Sequence, residues 1–203
     1  PTDDEEYIFE HIEEYEIAEN GESVLFFQVP EKSEEDTVEI KKLWYFDTRK
    51  EEVHLLDSLE GDFKNLSVSK NGELFAWHFS ADTTDVKTYD LFMHISGRNA
   101  QTLEINMQTE NMPEGYAVSE HRKAVFSDNH ERMLLGIAPE PKQEEEDTLL
   151  DEEKYHLDIW HWQDDLLQPM QKERAKQERE RNFMTVFHLE ERKMVPLANK
   201  EIP

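Results

Sequence analysis

A polar triplet set between two apolar runs recurs three times along this chain: Asn20-Gly21-Glu22, Asn71-Gly72-Glu73 and Asn129-His130-Glu131. Self-similarity at a spacing of roughly fifty residues confines a chain to a repeat architecture, in which each unit buries its apolar surface against its neighbours. Asn-Gly tolerates positive φ at both positions, so the triplet predicts a hairpin closed by a type I′ turn. The third triplet carries His130 where the others have glycine, which predicts a different geometry there.

Each turn leads into an apolar stretch, Ser23 to Phe27, Leu74 to Phe79 and Met133 to Ile137. Near-continuous apolarity over so few residues predicts strands covered on both faces. A second hairpin follows. "KLWYFDTRKEEVHLL" aligns without a gap on "MTVFHLEERKMVPLA", Tyr45 on Phe187 and Val53 on Val195, and "YDLFMHISGRNAQTLEI" is the middle member. By this alignment His94 and His188 both occupy strand positions comparable to Phe46. Four short antiparallel strands per unit, with no helical apolar period in them, predict an all-β fold of about three four-stranded propeller blades, a partial and open β-propeller. The whole chain, residues 1–203, is expected to form one such domain, with blades at about 10–58, 59–108 and 116–200.

The units differ in their connectors, Pro30 to Glu39 in the first and Ala81 to Thr88 in the second. In the third unit the connector grows into an insertion over 139–181. Its last part is rich in helix formers and has Pro169 at a plausible first turn, which predicts a helical insertion near 164–182 with its helix from Pro169 to Arg181. Insertions in repeat folds gather on one face, so binding specificity is expected there.

The same insertion holds the densest cluster of reactive side chains: Tyr155, His156, Asp158, Trp160, His161 and Trp162. They are the candidate substrate- or partner-binding residues. His156, Asp158 and His161 are also the residue types that hold zinc. On a strand, however, His156 and Asp158 share one face while His161 points to the other, so no metal site and no cofactor are expected. No Gly-x-Ser-x-Gly elbow occurs, and Ser69 and Ser127 precede turns, where a hydroxyl caps the backbone. Glu144 to Asp147 lack the glycine-punctuated spacing of a calcium loop and form a solvated charge run.

Charge narrows the partners. The 22 Lys and Arg against 48 Asp and Glu give a formal net charge of −26, which opposes binding to nucleic acid and to anionic membranes. No apolar run is long enough to span a bilayer, and "PTDDEEYIFEH" has neither the basic nor the apolar region of a signal peptide. A first residue other than Met suggests a processed or excised piece. With no cysteine, stability rests on packing.

The third unit, "AVFSDNHERMLLGIAPEP" with "DIWHWQDDLLQPMQ" and the closing "VPLA", resembles the N-terminal β-propeller of prolyl-oligopeptidase-like serine peptidases of the Bacteroidetes type. The likeness extends in weaker form over all three units. It implies a longer parent, a periplasmic or otherwise extracytoplasmic serine peptidase. A C-terminal α/β-hydrolase domain, absent from this chain, would hold the Ser-Asp-His triad. None of those catalytic residues maps onto this sequence, so the expectation for this chain is a non-catalytic segment that gates or orients peptide substrate. A free-standing module recruiting a protein partner through 139–181 is the alternative. Such propellers close with seven or eight blades, whereas three leave sheet edges open, which a second copy could cover.

Overall fold

Residues 6–29, 40–141 and 167–199 are described by a computed structural model. The chain divides into two compact units, Pro1–Pro141 with Asn182–Pro203, and Lys142–Arg181. In the first unit β1 (Ile12–Ile17), β2 (Ser23–Gln28), β3 (Ile40–Asp47) and β4 (Glu52–Glu60) pair in sequence order as one antiparallel sheet. A second sheet repeats the order with β5 (Asp62–Val68), β6 (Leu74–Ser80), β7 (Asp90–Ile95) and β8 (Gln101–Ile105). The third is built from β10 (Val125–Phe126), β11 (Arg132–Pro139), β12 (Phe183–His188) and β13 (Lys193–Pro196), with β9 (Tyr116–Val118) pairing to the far end of β11. The all-β expectation and its repeated four-stranded sheets hold.

The three sheets lie face to face. Leu25, Phe27 and Leu43 of the first sheet share a core with Phe63, Phe75, Trp77 and Phe79 of the second. The other face of the second sheet, with Leu74, Ala76, Leu91 and Met93, packs on Met133, Leu135, Ile137, Phe183 and Phe187 of the third. All seven residues of β6 are therefore buried, as its unbroken apolar run predicts. The first strands of the sheets, β1, β5 and β10, lie beside one another.

The repeated turn differs from a type I′ hairpin. Gly21 and Gly72 have φ of 71°, but Asn20 and Asn71 are not in the left-handed region, so one positive φ per turn suffices. The loop is four residues long. Ser69 N–H donates to the Leu74 carbonyl, and Gly72 N–H donates back to the Ser69 carbonyl, both at 2.9 Å. The asparagine is there for its side chain: Asn71 Oδ1 accepts from the Ser69 hydroxyl at 2.7 Å and the Glu73 N–H at 3.2 Å. The third turn is the same and not a variant geometry. His130 itself takes φ 56°, its N–H reaches the Ser127 carbonyl at 2.9 Å, and Ser127, Asn129 and Glu131 repeat the side-chain bonds.

The turns also join the sheets. Ser23 hydroxyl donates to the Gly72 carbonyl at 2.8 Å and Asn20 Nδ2 to the Asn71 carbonyl at 2.9 Å. A β-carbon on Gly72 would stand 2.7 Å from Ser23 Oγ, whereas one on Gly21 would meet nothing within 4 Å. Gly21→Ala is therefore expected to cost about 1 kcal/mol for left-handed backbone alone. Gly72→Ala adds the displaced serine and its hydrogen bond, for about 2–3 kcal/mol in all. Urea unfolding of the pair measures the difference, and equal losses would show that the turns do not brace one another.

The outer hairpins are equivalent one residue away from their gapless sequence alignment. Phe187 pairs Met194 and faces the second sheet, and the strand neighbour that matches it by pairing is Phe46, opposite Val53, not Tyr45. His94 is thus comparable to Phe46, as expected, but His188 is comparable to Asp47: Arg132↔His188 and Ser23↔Asp47 are matching end rows. A shift of one residue exchanges the two faces of a strand, and only the pairing reveals it.

Within the second unit, α1 (Gln168–Arg179) forms where the helix-forming composition places it, with a proline in its first turn. Lys176–Glu180 at 3.7 Å and Arg181–Glu178 at 3.4 Å are exposed pairs that add little.

Candidate functional site

The six residues singled out in the sequence, Tyr155, His156, Asp158, Trp160, His161 and Trp162, lie outside the described residues. Within the described ones, the strongest polar cluster sits where the inner strands of the second and third sheets meet.

Its origin is a bulge in β5. The pairing with β6 shifts between Lys64 and Ser67, and Asn65 takes φ 56°. That kink turns two side chains toward the segment between β9 and β10. Asn65 Nδ2 donates to the Glu120 carbonyl at 2.5 Å, and Lys64 Nζ pairs with the Glu120 carboxylate. Ser67 hydroxyl donates to the Ala124 carbonyl at 2.6 Å, and Leu66 N–H to Glu14 Oε1 of β1 at 3.1 Å. The bulge thus ties all three inner strands together.

Around Lys64 the charges balance. Asp62 Oδ2 accepts from the Tyr89 hydroxyl at 2.5 Å and from Lys87 Nζ at 3.0 Å, and stands 3.8 Å from Lys64 Nζ. The Lys64 ammonium also lies 4.9 Å from the centre of the Tyr89 ring. Two ammonium groups face two carboxylates, and each has a partner. Burial opposes the Asp62 carboxylate, but the Tyr89 and Lys87 hydrogen bonds outweigh it and hold its pKa low. Burial likewise opposes the Lys64 ammonium, and Glu120 and Tyr89 still raise its pKa. Burial, then Asp62, push the Tyr89 phenol up. Asp62 and Lys64 are thus held charged and Tyr89 neutral, an arrangement that braces the strands.

His78 is the group next to this cluster that is shifted the other way. It pairs across the strands with Lys64 and is fully buried. Among the described residues neither ring nitrogen has a well-aligned hydrogen-bond partner, although the Ser119 backbone lies close. Burial, aided by the Lys64 charge, brings its pKa down to about 4. It is neutral and sealed from solvent, which suits a core residue.

The buried serines are committed to the backbone. Ser23 and Ser67 donate to carbonyls, the Ser69 hydroxyl serves its own turn, and Ser80 and Ser119 accept from the N–H groups of Asp82 and His121. No group of three metal-binding side chains converges among the described residues. Sequence reading did not find the Lys64 cluster, because Glu120 is distant in the chain and no motif links it to Asp62, Lys87 or Tyr89. The local signal was Lys64-Asn65, a lysine followed by an αL-tolerant residue inside a strand run.

No protein-family model matches the chain, and no curated protein matches it. Among solved structures it is similar to the tricorn protease, at 10% identity and a TM-score of 0.48, over 91% of this chain and 18% of that one. It is also similar to the hydrazine synthase of Kuenenia stuttgartiensis, at 8% identity and a TM-score of 0.37, over 62% of this chain and 39% of that one. The chain therefore spans less than half the length of either protein.

Proposed function

We propose that this chain is a non-catalytic β-propeller segment of a prolyl-oligopeptidase-like serine peptidase, covering a separate hydrolase domain and restricting which peptides reach it. The observation that carries this reading is the stacking of like four-stranded sheets through paired apolar faces, with the polar groups of the inner strands spent on holding those strands together. The resemblance of the third unit supplies the family. The extracytoplasmic location belongs to the same proposal.

A second reading is a propeller-like module that recruits a protein through 139–181, favoured by the separation of Lys142–Arg181 as a compact unit of its own. The isolated chain is expected to leave proline-containing peptides uncleaved and to resist labelling by a fluorophosphonate. Serine-reagent-sensitive turnover would overturn both readings. Sequencing the gene downstream separates them: a Gly-x-Ser-x-Gly motif in frame supports the peptidase, and a stop codon just after Pro203 supports the module.

A further inference from the structure

The inner strand of the third sheet is interrupted. β1 and β5 run unbroken for six and seven residues, but β9 pairs only with Ile137 to Pro139 of β11, and β10 only with Met133 and Leu134. Between them Ser119–Ala124 passes Leu135 and Gly136 outside the ladder. Among the described residues it keeps one backbone bond to that strand, from Ser119 N–H to the Gly136 carbonyl at 2.9 Å.

Side chains hold the segment instead. From the β5 bulge, Lys64 pairs with the Glu120 carboxylate and Asn65 Nδ2 reaches the Glu120 carbonyl at 2.5 Å. Lys123 Nζ donates to Glu16 Oε2 of β1 at 2.7 Å, and Arg122 Nε donates to Asn182 Oδ1, just before β12, at 2.5 Å. Gly136 makes room for that crossing, since a β-carbon on it would stand 2.8 Å from Arg122 Cβ. Ion pairs this close to solvent break at little cost, whereas a ladder opens cooperatively.

His78 lies beneath the segment. Its cross-strand neighbours are Lys64 on β5 and Leu91 on β7, and the Ser119 backbone lies against the ring. The charged and titratable groups around it are Lys64 and Asp62 on β5, Lys87 on the connector, Tyr89 just ahead of β7, and Glu120 and the exposed His121 on the segment. Both carboxylates are already taken, Asp62 by Tyr89 and Lys87, and Glu120 by Lys64. A proton arriving on this fully buried imidazole therefore meets no free anion, and the charge that acts on it is the Lys64 ammonium.

We propose that Ser119–Lys123 is an acid-released latch: once His78 is protonated, the segment lifts off the second sheet as a unit, hinged at β9 and at buried Ala124, while the three sheets stay folded. Lifting breaks the Lys64–Glu120 pair, so Lys64 swings away from the imidazolium and water reaches the ring. The strands on either side of His78, β5 and β7, are held to β6 by ladder hydrogen bonds and offer no such exit. Within a closed propeller the innermost strands line the axis, and release there widens the axial passage. The opening itself belongs to this chain and stands whether or not the parent is a peptidase.

Hydrogen exchange read by mass spectrometry at pH 7 and pH 5, corrected for the intrinsic pH dependence, tests the latch. With the ring titrating at about 4 when covered and at 6.5 when free, the amides of Ser119 and His121 are expected to lose about 20-fold in protection at pH 5, while those of β1 and β2 keep theirs. The loss is expected to vanish in His78→Leu and to persist in His121→Gln. Glu120→Gln loosens the latch without touching the core, and is expected to speed exchange of the same amides about fivefold at pH 7. Equal loss of protection in all three sheets at pH 5 overturns the proposal in favour of global unfolding. So does a pH response that survives in His78→Leu or disappears in His121→Gln, and so does unaltered exchange in Glu120→Gln.

Discussion

Trp77→Ala is expected to cost about 4 kcal/mol, close to the whole stability of a marginal domain. Trp77 is fully buried between the first and second sheets, and its indole stacks on Phe92 at 5.9 Å. Truncation would open a cavity in the core that joins the two sheets. The indole N–H, however, has no acceptor among the described residues. Trp77→Phe removes that unsatisfied donor along with some packing, and the opposing effects should leave stability within about 1 kcal/mol of wild type. Urea unfolding followed by circular dichroism measures both. A phenylalanine variant as unstable as the alanine one would mean that the N–H is satisfied after all and that its loss, not volume, sets the cost.

Acid should undermine the second interface through His78. Its folded pKa of about 4 lies below the unfolded value of 6.5, so the native state holds the imidazole neutral. The linked stability is fully present above pH 6.5 and is lost as pH falls from there to about 4. Over that interval it amounts to about 3 kcal/mol. Asp90 works in the opposite direction. Burial, and then the charges of Glu104 and Asp82, raise its pKa to about 6, so the folded state gains from its protonation over part of the same interval. Asp90 is only half-buried, and solvent screening makes its share smaller. His78→Leu isolates the histidine: the variant's stability is expected to stay flat, or rise slightly, on acidification from pH 6.5 to 4 while wild type declines. Parallel pH profiles for the two proteins would show that His78 finds a hydrogen-bond partner when it charges.

The repeats and the sheets were legible in the sequence because both are set by local, periodic chemistry. The Asn-x-Glu turns, the apolar run of β6 and the outer hairpins identify three antiparallel units, and the composition of residues 168–179 identifies the helix. Turn geometry was only half legible. Asn-Gly signals positive φ, but whether one or both residues adopt it depends on how many residues the flanking pairing leaves in the loop, and four remain here. The same hydrogen bonds hold His130 in a conformation its sequence argues against. Facing was not legible at all in the outer hairpins, since Tyr45 and Phe46 are both aromatic and a shift of one residue leaves the composition unchanged.

Tertiary structure alone decided the rest. The Lys64 cluster exists because the β5 bulge meets the segment before β10, and no local pattern links Lys64 to Glu120. The protonation of His78 depends on which sheet is stacked over it, and the sequence around it reads as any other strand. Local propensity fixes period and chain direction, whereas charge balance and burial depend on distant residues that meet only once the sheets are stacked.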